Sequence, residues 1–168
     1  MAFIISTTIM NTELKERLML LAERYETPAF IVEDPIRIPH RYHSQTDVEI
    51  SALVTSWIAT GNRKAIIRSA DRIDCAIFKN APYQYIMSKE WRMYAGQKGS
   101  FYRYYSFDDF YLLCDTLYTV YSRKPTLEDY LYESFETLSP LQRLQSVFGH
   151  INGMPEMSST SEAKKMCM

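Results

Sequence analysis

Apolar residues recur along most of this chain at the three-and-four spacing of an α-helix, not in the alternation of a strand. Leu14, Leu18, Leu21 and Tyr25 fall on one face of a first helix, opened by Asn11 or Thr12 with Glu13 in its first turn. Thr46-Asp47-Val48-Glu49 reads as a capping box for the next helix, in which Ile50, Leu53, Val54, Trp57 and Ile58 form the apolar stripe. No charge follows Glu49 in that helix, which predicts that it is the central, most buried one. Gly61 stops it, and Asn62 can cap a successor at once. There Ile66, Ala70, Ile73 and Ile77 face inward, while Arg63, Lys64, Arg68, Asp71 and Arg72 look outward.

Ala81-Pro82 starts a short helix through Met87, and Trp91 to Gly99 reads as irregular. Ser106-Phe107-Asp108-Asp109 opens the clearest helix, with Phe107, Phe110, Tyr111, Cys114, Leu117, Tyr118 and Tyr121 on one face. Thr126 and Asp129 stand at capping-box spacing before Leu127, Tyr130, Leu131 and Phe135. Ser139-Pro140-Leu141-Gln142 carries proline at the first helical position and glutamine at the third. Gly149 to Thr160 reads as loop, and Ser161 to Met166 as the start of a helix with no packing partner. No strand pair is predicted. The expected fold is therefore all-α, an irregular multi-helix bundle. Residues 1–10 are a disordered or over-extended start, 11–150 one helical domain, and 151–168 a loop with a frayed helix start.

Composition narrows the function more than the fold. The chain has 168 residues, enough for one domain with a real core, and 13 of them are tyrosines, suited to a half-wet core or a recognition surface. A net charge of −1 excludes a molecule-wide attraction to nucleic acid. The charge is uneven, however. Residues 34–105 hold eleven basic and six acidic side chains, and residues 106–140 two basic and seven acidic. Cys75, Cys114 and Cys167 are odd in number, widely spaced and preceded by no secretory signal, so reduced thiols in the cytoplasm are expected, with Cys75 and Cys114 in the core. No run reaches the length of a membrane span.

Three stretches hold candidate chemistry. Thr27 to Gln45 lacks a helical period and contains Pro28, Pro35 and Pro39, so Asp34 to Arg41 is expected to be extended. Its Arg37, His40, Arg41 and His43 suit an anion such as phosphate; equally, the segment serves as a proline-stiffened strap packing Ile36 and Ile38. A metal reading would use His40, His43 and Asp34 or Asp47, at a spacing unlike that of helical zinc sites. At Gly61-Asn62-Arg63-Lys64 a helix start and two cations coincide, a setting that favours phosphate without the glycines of a nucleotide loop. Phe101-Tyr102-Arg103-Tyr104-Tyr105 interleaves aromatic rings with a cation, suited to stacking on bases or to plugging the gap beside the Phe107 helix. No catalytic pair emerges, and no metal or cofactor is assigned.

Asp34-Pro35-Ile36 with Pro39-His40, Asp47 with Glu49-Ile50, and Trp57 with Gly61-Asn62-Arg63-Lys64 together resemble a bacterial family of unknown function, itself distantly similar to helix-hairpin-helix DNA glycosylases of the endonuclease III type. Ile66-Ile67, Ser69-Ala70, Pro82-Tyr83 and the stretch from Phe107 to Glu128 continue the likeness over residues 10–168. The resemblance implies the N-terminal helical lobe of such a protein, ending before the segment that would hold a catalytic aspartate, so no catalytic residue is carried over. It implies DNA as a possible partner, through Arg37, His40, Arg41, Asn62, Arg63 and Lys64. The competing expectations are a protein-interaction or structural helical domain that meets its partner through an exposed apolar face, and a metal-dependent hydrolase using His40 and His43.

Overall fold

A computed structural model describes residues 2–134 and 136–153. The helical expectation holds: among the described residues eight α-helices and several single turns follow one another, with one small hairpin. Helix α1 (Ala2–Tyr25) starts ahead of the capping signal at Asn11 and Thr12. Its Leu14, Leu18, Leu21 and Tyr25 do share a face, but that face is exposed, with Leu14 and Leu18 each more than half accessible. The short α2 (Pro28–Val32) follows, capped by the Thr27 hydroxyl, and Phe30 meets Tyr25 edge to face.

The proline segment is not extended. Pro35–Arg37 and Pro39–Arg41 are single 3-10 turns, the first opened by the Asp34 carboxylate accepting from Ile36 N–H at 3.1 Å. Proline fixes φ at the helical value once it is itself inside the turn, and Asp34 takes the extended conformation that its following proline demands. Ile38 and Pro39 are buried beneath the turns, so the segment is a strap, whereas Ile36 lies open to solvent.

Helix α3 (Gln45–Trp57) buries Ile50, Val54, Trp57 and the adjoining Ile58, as its lack of charge predicts. Its start differs from the sequence reading. Ser44 is the N-cap and no side chain caps the helix. The two carboxylates of the expected capping box reach other helices instead. Asp47 accepts from Tyr83 N–H at 2.9 Å, the first N–H that α5 (Pro82–Ser88) can offer after its leading proline. Glu49 accepts from Leu127 N–H and the Tyr121 hydroxyl, each at 2.9 Å, and so opens α7 (Leu127–Ser134).

Helix α4 (Arg63–Arg72) runs into a π turn, Ile73–Ile77. Ile66, Ala70 and Ile73 are buried as predicted. Cys75 is exposed, contrary to its expected core position, because the π turn shifts the helical phase by one residue; Cys114 is buried as expected. The segment after α5 is a 3-10 turn, Glu90–Tyr94, that carries the fully buried Trp91.

A hairpin that the sequence pattern did not reveal joins this turn to the longest buried helix. Strands β1 (Ser100–Tyr102) and β2 (Tyr105–Ser106) pair antiparallel, with Arg103 left-handed at φ 51° in the turn. Ser106 and Asp109 then form a true capping box for α6 (Phe107–Arg123). The buried side of α6 comprises Phe110, Leu113, Cys114, Leu117, Val120 and Tyr121, so the stripe includes Leu113 and Val120, while Phe107, Tyr111 and Tyr118 sit at its margin. Helix α8 (Pro140–Phe148) starts where the sequence predicts, and there Ser139 and Gln142 form a capping box.

Rings cement the centre. Trp57 stacks on Tyr105 at 4.6 Å and on Phe110 at 6.4 Å, and Phe101 stacks on Phe110 at 4.1 Å. The Trp57 indole N–H donates to Asn152 O at 2.8 Å, and Ile151 is buried beside it, so the loop after α8 folds back onto the core. The expected helix start at Ser161, Phe135 and Cys167 lie outside the described residues.

Removing the Glu49 carboxylate leaves the hydroxyl of the buried Tyr121 and a helix-end N–H without a partner. Glu49→Ala is expected to destabilise the fold by about 2–3 kcal/mol and Glu49→Gln by less, since the amide oxygen still accepts. The midpoint of denaturant unfolding at unchanged slope measures it.

Candidate functional site

The structure sorts the cations of the basic middle segment into paired and unpaired ones. All six acidic side chains of residues 34–105 are engaged. Asp34, Asp47 and Glu49 bond the starts of turns and helices. Asp71 and Asp74 both bind Arg41, and Glu90 binds Lys79 at 2.9 Å.

Arg41 was expected to meet an anion from outside and instead meets two within the protein. Its guanidinium bonds Asp71 and reaches Asp74 Oδ2 at 3.1 Å. Asp74 is almost fully buried and also accepts from the Tyr42 hydroxyl. Partial burial works against the Arg41 charge, but its bonds to the two carboxylates outweigh this and raise its pKa. Burial first, and then the bond to Asp74, push the Tyr42 hydroxyl well above its ordinary range, so it stays a donor. This cluster ties the strap to the end of α4.

The remaining expected site residues disperse. Arg37 donates to Val32 O at 3.1 Å, closing the strap on α2. His40 and His43 are exposed. The carboxylates a metal would need beside them are committed elsewhere, Asp34 to Ile36 N–H and Asp47 to Tyr83 N–H. Among the described residues no group of three His, Cys, Asp or Glu side chains is placed to hold a metal ion. Asn62 caps α4 as predicted, its side-chain oxygen accepting from Lys64 N–H at 3.0 Å. Arg63 leans back over the strap, 3.7 Å from Asp34 Oδ2 and over the Phe30 ring. Between them lies an open groove of about 540 Å³, walled by Pro35, Ile36, Pro39, Ala52 and Ile66.

What gathers is a different set. Lys64, Arg68 and Arg72 recur every fourth residue, so they lie along one side of α4 over about 12 Å. All three are exposed and none meets a carboxylate among the described residues. Arg103 joins them at the N-terminal end. The hairpin lays its guanidinium against Gly61, so close that a Cβ there would stand 2.6 Å from it. Gly61 has φ +110°, which suits glycine alone. Arg103 is exposed, flanks the Tyr102 ring and has no carboxylate partner among the described residues. Two stretches singled out separately in the sequence, Gly61–Lys64 and Phe101–Tyr105, therefore form one corner. Their separation in the chain, 42 residues from Gly61 to Arg103, hid this, and the recurrence of Lys64, Arg68 and Arg72 at every fourth residue was the signal that could have marked the rest of the face.

The family is decided by the sequence match over this same stretch. Residues 34–168 match the model of a protein family of unknown function, DUF2400. The chain belongs to that family. No curated protein and no solved structure matches it. The family match begins at Asp34, the residue that opens the strap, and includes the whole basic face. Among the described residues no helix is long and apolar enough to cross a membrane.

Gly61→Ala forces a side chain into a left-handed backbone and against Arg103. A loss of about 1–2 kcal/mol is expected, most of it persisting in an Arg103→Ala background because the backbone strain does not depend on the flexible guanidinium. A double-mutant cycle by thermal or denaturant unfolding checks this.

Proposed function

We propose that this domain binds the phosphate backbone of nucleic acid through the exposed side of α4, with Lys64, Arg68 and Arg72 as the track and Arg103 and Asn62 at its leading corner. One observation carries the reading: the acidic residues of the basic segment are all bonded inside the protein, so the positive charge of this face stands uncompensated. A spacing of about 12 Å spans three or four phosphates of one strand. Unlike the set expected from the sequence, the interface leaves out Arg37, His40 and Arg41 and keeps Arg63 at its edge, paired with Asp34. Such contacts position a polyanion without reading its sequence.

Fluorescence anisotropy with labelled single-stranded and duplex DNA at low salt tests the reading. The triple variant Lys64→Ala/Arg68→Ala/Arg72→Ala is expected to weaken binding strongly and to flatten the log–log salt dependence by about 2 to 3. An affinity unchanged in that variant, or insensitive to salt, refutes the proposal.

A second reading, protein interaction, is favoured by α1. Leu14, Leu18, Met19, Leu20 and Leu21 are all exposed on it, an unusual density of apolar surface. Sedimentation is expected to show association that Leu14→Glu/Leu18→Glu removes; a chain that stays monomeric and partnerless at all concentrations counts against it.

A further inference from the structure

At the C-terminal end of α4 the basic face borders an aromatic cleft. The cleft has a volume of about 330 Å³ and lies between the π turn and the hairpin. Tyr94, Phe101 and Phe107 supply ring walls: Tyr94 and Phe107 lie nearly parallel at 5.5 Å, and Phe101 meets Phe107 edge to face at 5.8 Å. Arg72 lines the same cleft, exposed and without a carboxylate partner among the described residues. Tyr102 forms another wall, and its enclosed hydroxyl meets no hydrogen-bond partner among the described residues. Enclosed hydroxyls nearly always have partners, which sets this one apart from most.

Rings that present faces and edges to a cavity favour a flat π system, and a guanidinium at its border favours a planar or tetrahedral oxyanion. The volume is at the lower end of small-molecule sites, which excludes an extended ligand. We infer that this cleft binds a planar aromatic ring joined to one anionic group, of the size of a nucleoside monophosphate. Free nucleotides and the terminal nucleotide of a strand share this chemistry. The site shares Arg72 with the proposed backbone track but does not need that track to hold a strand.

Calorimetric titration of the whole chain with adenosine monophosphate, adenosine and inorganic phosphate tests it. Saturable binding of the monophosphate is expected, at least about tenfold tighter than either half alone, because ring and anion are held together. Arg72→Ala is expected to bring the monophosphate down to the level of adenosine. Ala76→Trp, at an exposed position lining the cleft, is expected to abolish binding with circular dichroism unchanged. Lys64→Ala/Arg68→Ala should leave monophosphate binding intact, which separates this site from the backbone track. A 5′-phosphorylated oligonucleotide that competes better than its unphosphorylated form would identify a strand end as the source; competition by neither would identify the free nucleotide. Absence of saturation at several millimolar overturns the inference. So does inorganic phosphate binding as tightly as the nucleotide, or binding that survives Ala76→Trp. Should Ala76→Trp misfold, the Arg72→Ala result decides alone.

Discussion

A protein assembled from many short helices must satisfy many helix starts, and this constraint organises the molecule. Each start exposes backbone N–H groups that cost free energy when shut away from water without a partner. Here carboxylates from the central helix meet that need at a distance. Asp47 and Glu49 lie two residues apart on α3, yet they serve α5 and α7. Glu49 does more than cap. It also holds Tyr121, whose hydroxyl is pushed up first by burial and then by that carboxylate, and so stays a donor on α6. One side chain thereby links three helices.

The same economy of acids shapes the surface. Because Asp34, Asp47 and Glu49 turn to backbone N–H groups and Asp71 and Asp74 turn to Arg41, no carboxylate among the described residues pairs with the cations on the outer side of α4. A near-neutral chain can therefore carry a strongly positive strip. The net charge of the sequence hides this, since the excess of acid sits mostly in residues 106–140, on α6 and α7. What matters for a polyanion is the local field within about a Debye length, roughly 10 Å at moderate salt, and not the total.

Arg41 and Arg103 show how residue type alone misleads. Both are arginines in irregular segments beside aromatic or proline residues. Arg41 lies against α4, where Asp71 and Asp74 hold it, and its role is to fasten the strap. Arg103 sits at the tip of a hairpin, seated on a glycine, and its charge stays available. A guanidinium is always protonated, so its availability is settled by its neighbours and not by its own chemistry.

The sequence by itself determined the helical class, the inward stripes of α3 and α4, and the helix starts at Ser106 and Ser139. These follow from local rules, because helical period and caps act within four residues along the chain. It also placed Asn62 at a helix start beside cations. Only the tertiary structure decided which carboxylates go to which partners, that the proline segment turns instead of extending, that the stripe of α1 stays exposed, and that Arg103 joins Gly61. Those outcomes depend on contacts between residues tens of positions apart, and spacing along the chain carries no record of such meetings.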